Sequence, residues 1–568
     1  MRLSVLFTKT RKNVPADEKA KNAQLLIRAG YIHKEMAGAY SYLPLGLMVI
    51  ENIKQIVREE MDVIGGQELL MTSLQPKATW EVTDRWNDEI VDIWFKSKLK
   101  DGSEVGFGWS HEEPIIEMIK QHLGSYRDLP ITVYQFQTKL RNELRAKSGV
   151  MRGREFLMKD MYSCSVDAEH HEKFYQASIE AYMRVYERLG LKDDTHITFA
   201  SGGAFTQFSH EFQTVCDAGE DYIFQIPSTG EAFNQEIAPA QAPAVKSDEI
   251  PLPMEEVEGK DLIGVEPLAK FLKIPVEKTT KTMLYVTDAG KVVAAAVRGG
   301  YDINEDKLKA VVGAASIALA DEATVKRVTG AEVGYAGLLG LSGDVQIVVD
   351  ESCQDRANFE MGANHTHHHS INVNWGRDLP EPDTYHDIKV ARQGDRHPDT
   401  GEVYSVQKTA EVGNIFNFGT QKSEDMNFTF TNEAGEKQFV HLGSYGIGVS
   451  RLMGVVAEKF SDERGLIWPE NVAPARVSIV RIGNEADVVK TADEIYNRLT
   501  EARVAVLYDD RDMRPGEKFA DADLMGIPYR IVVSKKTVEA SQHELKARTE
   551  EHARTMGIDE LVQALTKK

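Results

Sequence analysis

The sequence predicts a multidomain α/β protein. Three observations carry this. The chain has 568 residues, more than a single hydrophobic core organises. Two strand-like runs near residues 131–165 flank a polar, glycine-containing loop, and the stretches 260–376 and 475–568 alternate strand with helix patterns. In chain order, residues 17–29 and 48–62 place Leu, Ile, Val and Met at helical spacing with charges between them. "GGQELLMTSLQP" reads as a Gly-Gly turn, a strand and a stop at Pro76. "ITVYQFQTKLRNEL" and "EFLMKDMYSCS" read as an antiparallel hairpin, followed by a long helix over 167–189. "EIAPAQAPAV" and "EIPLPMEEVEG" are Pro/Ala-rich and acidic, the composition of a linker. "KTMLYVTDAGKVVAAAVRG" predicts a second hairpin, "INEDKLKAVVG" a helix and "GDVQIVVDES" a strand. "KTAEVGNIFNFGT" returns to strand and turn character, and "GSYGIGVSRLMGVVAEKF" is a strand running into a helix. From 475 the order is "ARVSIVRI", a helix near 486–502, "VAVLYDD", a second helix and "YRIVVS", a small α/β domain with a mainly parallel sheet.

Composition narrows the setting. Hydrophobic residues make up 42% of the chain, ordinary for a soluble globular protein. Cys164, Cys216 and Cys353 are too widely spaced for a disulfide framework or a CxxC site, which points to a reducing compartment. The first twenty residues hold only a short apolar run, unlike a signal peptide, and no apolar stretch approaches the roughly 20 residues that span a bilayer. A cytoplasmic protein with no membrane association is expected. The net charge of −21 disfavours general nucleic-acid affinity, but it is unevenly spread. Residues 134–160 carry seven Lys/Arg against three Asp/Glu, so local sites for phosphates remain open.

Three stretches stand together: "GGQELLMTSLQP", "KLRNELRAKSGVMRGREFLMKDMYS" and "GSYGIGVSRLMG". They resemble the three signature motifs of class II aminoacyl-tRNA synthetases. "GWSHEEPI", "RGREFLMKDMYS", "SHEFQ", "GSYGIGVSR", "ERGLIWP" and "DDRDMRPGEKFADADLMGIPYRIVV" further resemble, in order, the bacterial-type prolyl-tRNA synthetases. The resemblance covers essentially the whole chain. It implies a class II synthetase catalytic core built on an antiparallel sheet, an inserted α/β editing domain and a C-terminal α/β anticodon-binding domain. The corresponding division is 1–223 and 407–473 for the core, 224–406 for the insert with its linkers and 474–568 for the last domain. ATP and Mg²⁺ are the implied cofactors, L-proline and tRNA(Pro) the partners. A homodimer through the first motif near Pro76 is also implied.

The implied chemistry is attack by a carboxylate on the α-phosphate of ATP, which calls for fixed cations more than for a base. Arg141 is expected to bridge the proline carboxylate and the α-phosphate, because a planar fork holds two oxygens at once. Glu143, expected on the same strand, would accept from the adenine amino group; Phe156 would stack on adenine and Arg152 would hold the terminal phosphates. Arg451 would close the other face of adenine, with Gly443, Gly446 and Gly448 admitting close backbone approach. For the secondary ammonium of proline, Ser110 and Glu112 are the expected acceptors, His210 a pocket wall, and Gly443–Ser444 the ring pocket. The family usually has Thr at the position of Ser110 and a smaller residue at that of Trp109, which leaves the pocket shape open.

Four of the 16 histidines fall in "NHTHHHSINVNW": His365, His367, His368 and His369. A zinc site needs three or four converging ligands, and neighbours on a strand point to opposite faces. No structural metal is expected. The resemblance instead matches Lys281 and His369 to editing residues, and Gly337 and Asp350 to the wall of an editing pocket. Alanine lacks two of proline's methylenes, worth about 0.8 kcal/mol each, so binding alone separates the two roughly 15-fold. Translation needs about 10⁴, which a second hydrolytic site supplies. Arg511, Arg514 and Lys518 are the expected anticodon contacts. Three alternatives stay open: a class II synthetase for another amino acid, a non-catalytic tRNA-binding paralogue, and a dedicated deacylase in which editing dominates.

Overall fold

The computed structural model describes residues 1–566 other than 145, 202–207 and 246–247, and of residues 201 and 208 the backbone alone. The chain forms two compact units: Met1–Ile197, Gly202–Asp221 and Lys408–Lys568 make the first, and Thr198–Ser201 with Tyr222–Gln407 the second.

In the first unit the amphipathic helices Lys21–Arg28 and Pro44–Val63 bury one apolar stripe each, Leu25, Leu26 and Ile27 on one and Val49, Ile53, Val57 and Met61 on the other. They belong to a core with Tyr134, Met161, Ile415, Tyr445 and Ile447, which come from the central sheet. Within this unit the sheet runs in the order Phe208–Val215, Ser405–Gly419, His441–Gly448, Glu155–Ser165, Ile131–Leu140, Gln67–Glu68. Every pairing is antiparallel except the last. Strand alternation sends Leu157, Lys159 and Met161 to the helix-covered face. It sends Phe156, Met158 and Asp160 to the opposite face. The stretch expected as one strand ending at Pro76 is instead two short strands, Gln67–Glu68 and Leu74–Pro76. Between them side chains take over from the ladder: Met71 N–H donates to Gln135 Oε1 (3.0 Å) and Gln137 Nε2 donates to Met71 O (2.6 Å).

The C-terminal domain has the strand order Val506–Asp509, Val477–Ile482, Tyr529–Ser534, His543–Ala547, Arg554–Met556. The first three strands are parallel and the last two antiparallel. The sheet is therefore mixed, not mainly parallel, because the short Lys535–Glu539 helix reverses the chain. This domain does not stand alone. Leu507, Leu524, Met525 and Ile527 lie in the same core as the helices Lys21–Arg28 and Pro44–Val63, and Tyr31 Oη donates to Met525 O at 2.8 Å. Deleting residues 474–568 is therefore expected to expose this core and unfold the first unit. A 1–473 chain with native circular dichroism and a cooperative thermal transition would contradict this.

The second unit holds a four-stranded sheet, Ile317–Leu319, Thr280–Thr287, Val292–Arg298, Val345–Val349, and a three-stranded sheet, Glu255–Glu258, His368–Val373, Phe359–Gly362. Val292–Arg298 is buried at every residue, as a central strand reading "VVAAAVR" requires.

Candidate active site

A cavity of about 110 Å³ opens on the polar face of the central sheet, lined by Phe156, Met158 and Asp160 from one strand and Ser444, Gly446 and Gly448 from its neighbour. These residues face the same side because Ser444 pairs with Tyr162, Gly446 with Asp160 and Gly448 with Met158. Asn414 and Phe416 extend the face through pairing with Gly446 and Ser444. The missing side chains matter. A Cβ at Gly446 would meet Asn414 Oδ1 at 3.0 Å, and one at Gly448 would meet the Arg451 side chain at 3.1 Å. A flat floor results between two guanidinium groups.

Arg141 follows the end of the Ile131–Leu140 strand and lines this cavity. Its Nε donates to Trp109 O (3.3 Å) and its guanidinium lies over the Phe156 ring, 5.2 Å from the centroid. Burial lowers its proton affinity, Glu411 opposes that shift, and Arg451 adds to it. Arg451, in the first turn of the Val449–Lys459 helix, is fixed by Nε donation to Met151 O (2.7 Å) and by Glu411 Oε2 at 3.2 Å. Glu411 lines the cavity and was not singled out in the sequence. Its only signal is a charged residue inside the apolar run "EVGNIF".

Glu143 departs from expectation. It lies in the loop after the strand, not on it, and pairs with Arg152 at 3.0 Å; Arg152 also meets Glu220 at 2.8 Å. Glycine and like charges along "RNELRAKSGVMRGR" favour a loop over a continued ladder. Neither Glu143 nor Arg152 lines the cavity.

The cavity is also lined by Ser110 and Glu112, both buried. Glu112 Oε2 lies 3.6 Å from Arg85 Nη1 but has no hydrogen-bond partner among the described residues, and Ser444 Oγ donates to Oε1 at 3.5 Å. With the Arg85 guanidinium at ion-pair distance and no hydrogen bond formed, that buried oxygen keeps lone pairs for an ammonium. Beneath it sits a network unmarked in the sequence reading: Lys139 Nζ contacts His111 Nδ1 (2.6 Å) and Asp160 (2.9 Å), and Tyr162 and Gln135 donate to Asp160. Burial, reinforced by Lys139, pushes His111 down to about 4, so it is neutral at pH 7. Its Nδ1 then accepts from Lys139 while Nε2 donates to Thr72 O at 3.2 Å. Trp109 does not narrow the cavity; it packs on Trp80 and Trp94. His210 is bonded through Nδ1 to Tyr175 Oη (2.7 Å) and is not a wall of this cavity. Gly443 lines a small apolar space behind Glu112, with Ile115, Ile116 and Phe418. A Cβ there would meet Tyr445 Oη at 2.3 Å.

The second unit has its own cavity, about 330 Å³, with walls of Ile263, Val265, Leu268, Met283, Leu284 and Val325 and few polar groups: Thr280, Lys281, Thr282, Glu360 and His369. Lys281 Nζ pairs with Asp302 at 2.6 Å. Two expected wall residues are absent from the lining. Asp350 is fully buried, accepting from Ser352 N–H (2.9 Å) and Ile388 N–H (2.8 Å), so it caps a turn. Gly337 is clamped by the Asn364 amide, with the Gly362 carbonyl only 1.9 Å from where its Cβ would be. The lining glycines are Gly264, Gly334 and Gly362.

The histidine run divides by geometry. His365 and His367 sit in the turn between two strands, and His368 and His369 begin the second. His367 bonds Tyr335 Oη at 3.1 Å. His365 pairs with Glu256 and stacks on His368 at 3.9 Å, and the donor atoms of these three lie within 4.8 Å of one another on the exposed side. His369 alone of the four lines the cavity.

In the C-terminal domain Lys518 is buried, its Nζ donating to Arg481 O (2.7 Å), which corrects its expected RNA contact. Arg511 is forked by Asp509 (2.7 Å) and Asp521 (2.9 Å). Arg514 is exposed at the start of the Pro515–Met525 helix.

Residues 95–460 match the tRNA synthetase class II core domain (G, H, P, S and T), and residues 476–568 match the anticodon binding domain. An antiparallel sheet with two arginines over a glycine floor, followed by such a domain, defines a class II tRNA synthetase. Similar proteins include those named proline--tRNA ligase from Bacillus mycoides (strain KBAB4) and Bacillus cereus (strain G9842). Each is 39% identical over 562 residues, covering 99% of this chain and 98% of the relative. The chain belongs to the proline--tRNA ligase family.

Proposed function

We propose that this protein condenses L-proline with ATP to prolyl-adenylate and transfers the prolyl group to the 3′ end of tRNA(Pro). The observation that carries the reading is the single cavity lined by both Arg141 and Arg451 and by the buried Ser110–Glu112 pair. In that reading Glu112 Oε2 accepts from the secondary ammonium, with Ser110 beside it. Arg141 bridges the proline carboxylate and the α-phosphate, so the two anions meet in line, and it offsets charge developing on the phosphoryl oxygens. Phe156 and Arg451 hold adenine between them over Gly446 and Gly448. Arg152 would exchange Glu143 or Glu220 for the terminal phosphates of ATP, leaving Glu143 for the adenine amino group. His210, through Tyr175, and Gly443 would bound the ring pocket from behind. Mg²⁺ favours one or two carboxylates plus phosphate oxygens. Glu411, a cavity-lining carboxylate beside the arginines, fits that requirement and would hold the ion, which supplies charge neutralisation at the phosphates.

The division 1–223, 224–406, 407–473 and 474–568 follows from the same reading. The inserted unit would hydrolyse Ala-tRNA(Pro), supported by a second cavity lined by His369 and Lys281. A homodimer near Pro76 is supported by Val63, Leu70 and Leu74, large apolar residues exposed around the first motif. No helix among the described residues is long and apolar enough to cross a membrane, and Cys164, Cys216 and Cys353 are free and buried. Both fit a cytoplasmic enzyme. Arg514 and Arg511 remain our anticodon-facing residues.

Amino-acid-dependent ATP–pyrophosphate exchange tests the reading. Proline should support it far better than threonine, serine, histidine or glycine; a preference for one of these would overturn the assignment. Glu112→Gln keeps the shape but removes the charge facing the ammonium. Its KM for proline is expected to rise at least tenfold, in line with the 1.5–3 kcal/mol of a charged hydrogen bond, while the KM for ATP stays put.

A further inference from the structure

The cavity of the inserted unit contains one carboxylate, Glu360, which nothing in the sequence marked. It sits on the Phe359–Gly362 strand and is 2% exposed. On the neighbouring strand His369 is 3% exposed, and its Nδ1 lies 2.9 Å from Glu360 Oε1. The other carboxylate oxygen accepts from Thr280 N–H at 3.4 Å. His369 Nε2 is buried without a hydrogen-bond partner among the described residues. Its ring is held by Tyr335 at 5.6 Å, and a Cβ at Gly259 would come within 2.9 Å of its Cδ2 and 3.3 Å of its Nε2, so only glycine lets the backbone pass that edge of the ring. A carboxylate accepts and an imidazole in its neutral form has one donor and one acceptor nitrogen. The proton therefore sits on Nδ1, and Nε2 carries the lone pair.

We propose that Glu360 is a positioning residue for ester hydrolysis in the inserted unit: it fixes His369 in the Nδ1–H tautomer, so that Nε2 serves as general base. This rests on the editing reading above. In the step, water adds to the aminoacyl carbonyl carbon as its proton passes to Nε2. The tetrahedral adduct then breaks the bond to the ribose oxygen, which takes the proton back from Nε2. The products are free alanine and tRNA with its terminal hydroxyl restored, and His369 is returned neutral. Glu360 stabilises the imidazolium in between, the part a buried carboxylate plays behind a histidine in hydrolytic triads. Burial pushes the Glu360 carboxyl up and the His369 contact opposes that shift. Arg356 acts on the same carboxylate from a distance, and Lys281 lines the cavity as its remaining cation.

The test uses the full chain and preformed Ala-tRNA(Pro). Glu360→Ala is expected to lower the kcat of deacylation roughly tenfold to a hundredfold with KM nearly unchanged, and to leave proline-dependent exchange intact. Glu360→Gln, the same shape without charge, should fall between Glu360→Ala and the native chain, and carries the test if the alanine variant does not fold. Nitrogen-15 spectra of histidine-labelled protein, with the His369 signal assigned by its loss in His369→Asn, should show an unprotonated Nε2 in the native chain. The same signal should show mixed tautomers in Glu360→Ala. Native-rate deacylation in both Glu360 variants, or a tautomer unaltered by them, would overturn the proposal. If the native chain does not deacylate at all, the editing reading fails, and the tautomer measurement still decides whether Glu360 orders His369.

Discussion

Arg141→Ala is expected to lose proline-dependent ATP–pyrophosphate exchange by a hundredfold or more while the protein stays folded. Arg141 Nε makes one long hydrogen bond, to Trp109 O, and its guanidinium rests on the Phe156 ring. Neither contact holds the sheet together, because the Ile131–Leu140 strand pairs along its whole length with Glu155–Ser165. What is lost is a fixed cation where the carboxylate and the α-phosphate converge. Removing a comparable preorganised donor costs about 3–4 kcal/mol of transition-state stabilisation. Lysine keeps the charge but not the fork, so Arg141→Lys should recover only part of the activity. Near-normal exchange in Arg141→Ala would remove it from the mechanism. Truncation beyond residue 473, by contrast, removes activity by exposing core.

His369→Ala and Lys281→Ala are expected to activate proline at the native rate yet accumulate Ala-tRNA(Pro). With pocket binding separating alanine from proline only roughly 15-fold, misacylation should rise to several per cent of proline charging at equal amino-acid concentrations. The physical reason is that both side chains line the second cavity and neither lines the first. His367→Ala and His368→Ala should do much less, because His367 packs on Tyr335 and His368 stacks on His365. Measuring deacylation of preformed Ala-tRNA(Pro) separates these outcomes. Equal damage from all the histidine changes, or loss of hydrolysis on adding a chelator, would favour the exposed Glu256–His365–His368 group over His369.

The legible parts of this protein were those whose residue type is matched to one job. Arg141, Phe156 and Arg451 stood out as an aromatic and two forks in long motifs, and they face one cavity. Helices and hairpins were legible because period and turn chemistry agree locally. Glu411 was not, since a carboxylate in a strand gives no sign of which distant arginine, here Arg451 on a helix, it will meet. Glu360 was hidden for the same reason: its partner lies nine residues on, across a turn with left-handed residues at Asn364 and His367. Misplacements have a common cause too. Asp350, Gly337 and Lys518 are chemically suggestive, but their groups are consumed by backbone partners: a turn, a close strand crossing and two carbonyls. Spacing along the chain does not report that. Glu143 fell just beyond the end of a strand, where propensity alone sets boundaries poorly.

The central claim is that one cavity activates proline and the same chain delivers it to tRNA(Pro). The most direct measurement is charging of purified tRNA(Pro) with labelled proline by the native chain, with ATP present or withheld. The account predicts ATP-dependent formation of a base-labile prolyl ester at the 3′ end, absent with Arg141→Ala and retained with His369→Ala. Proline-dependent exchange without any ester on tRNA(Pro), or charging that survives Arg141→Ala, would contradict it.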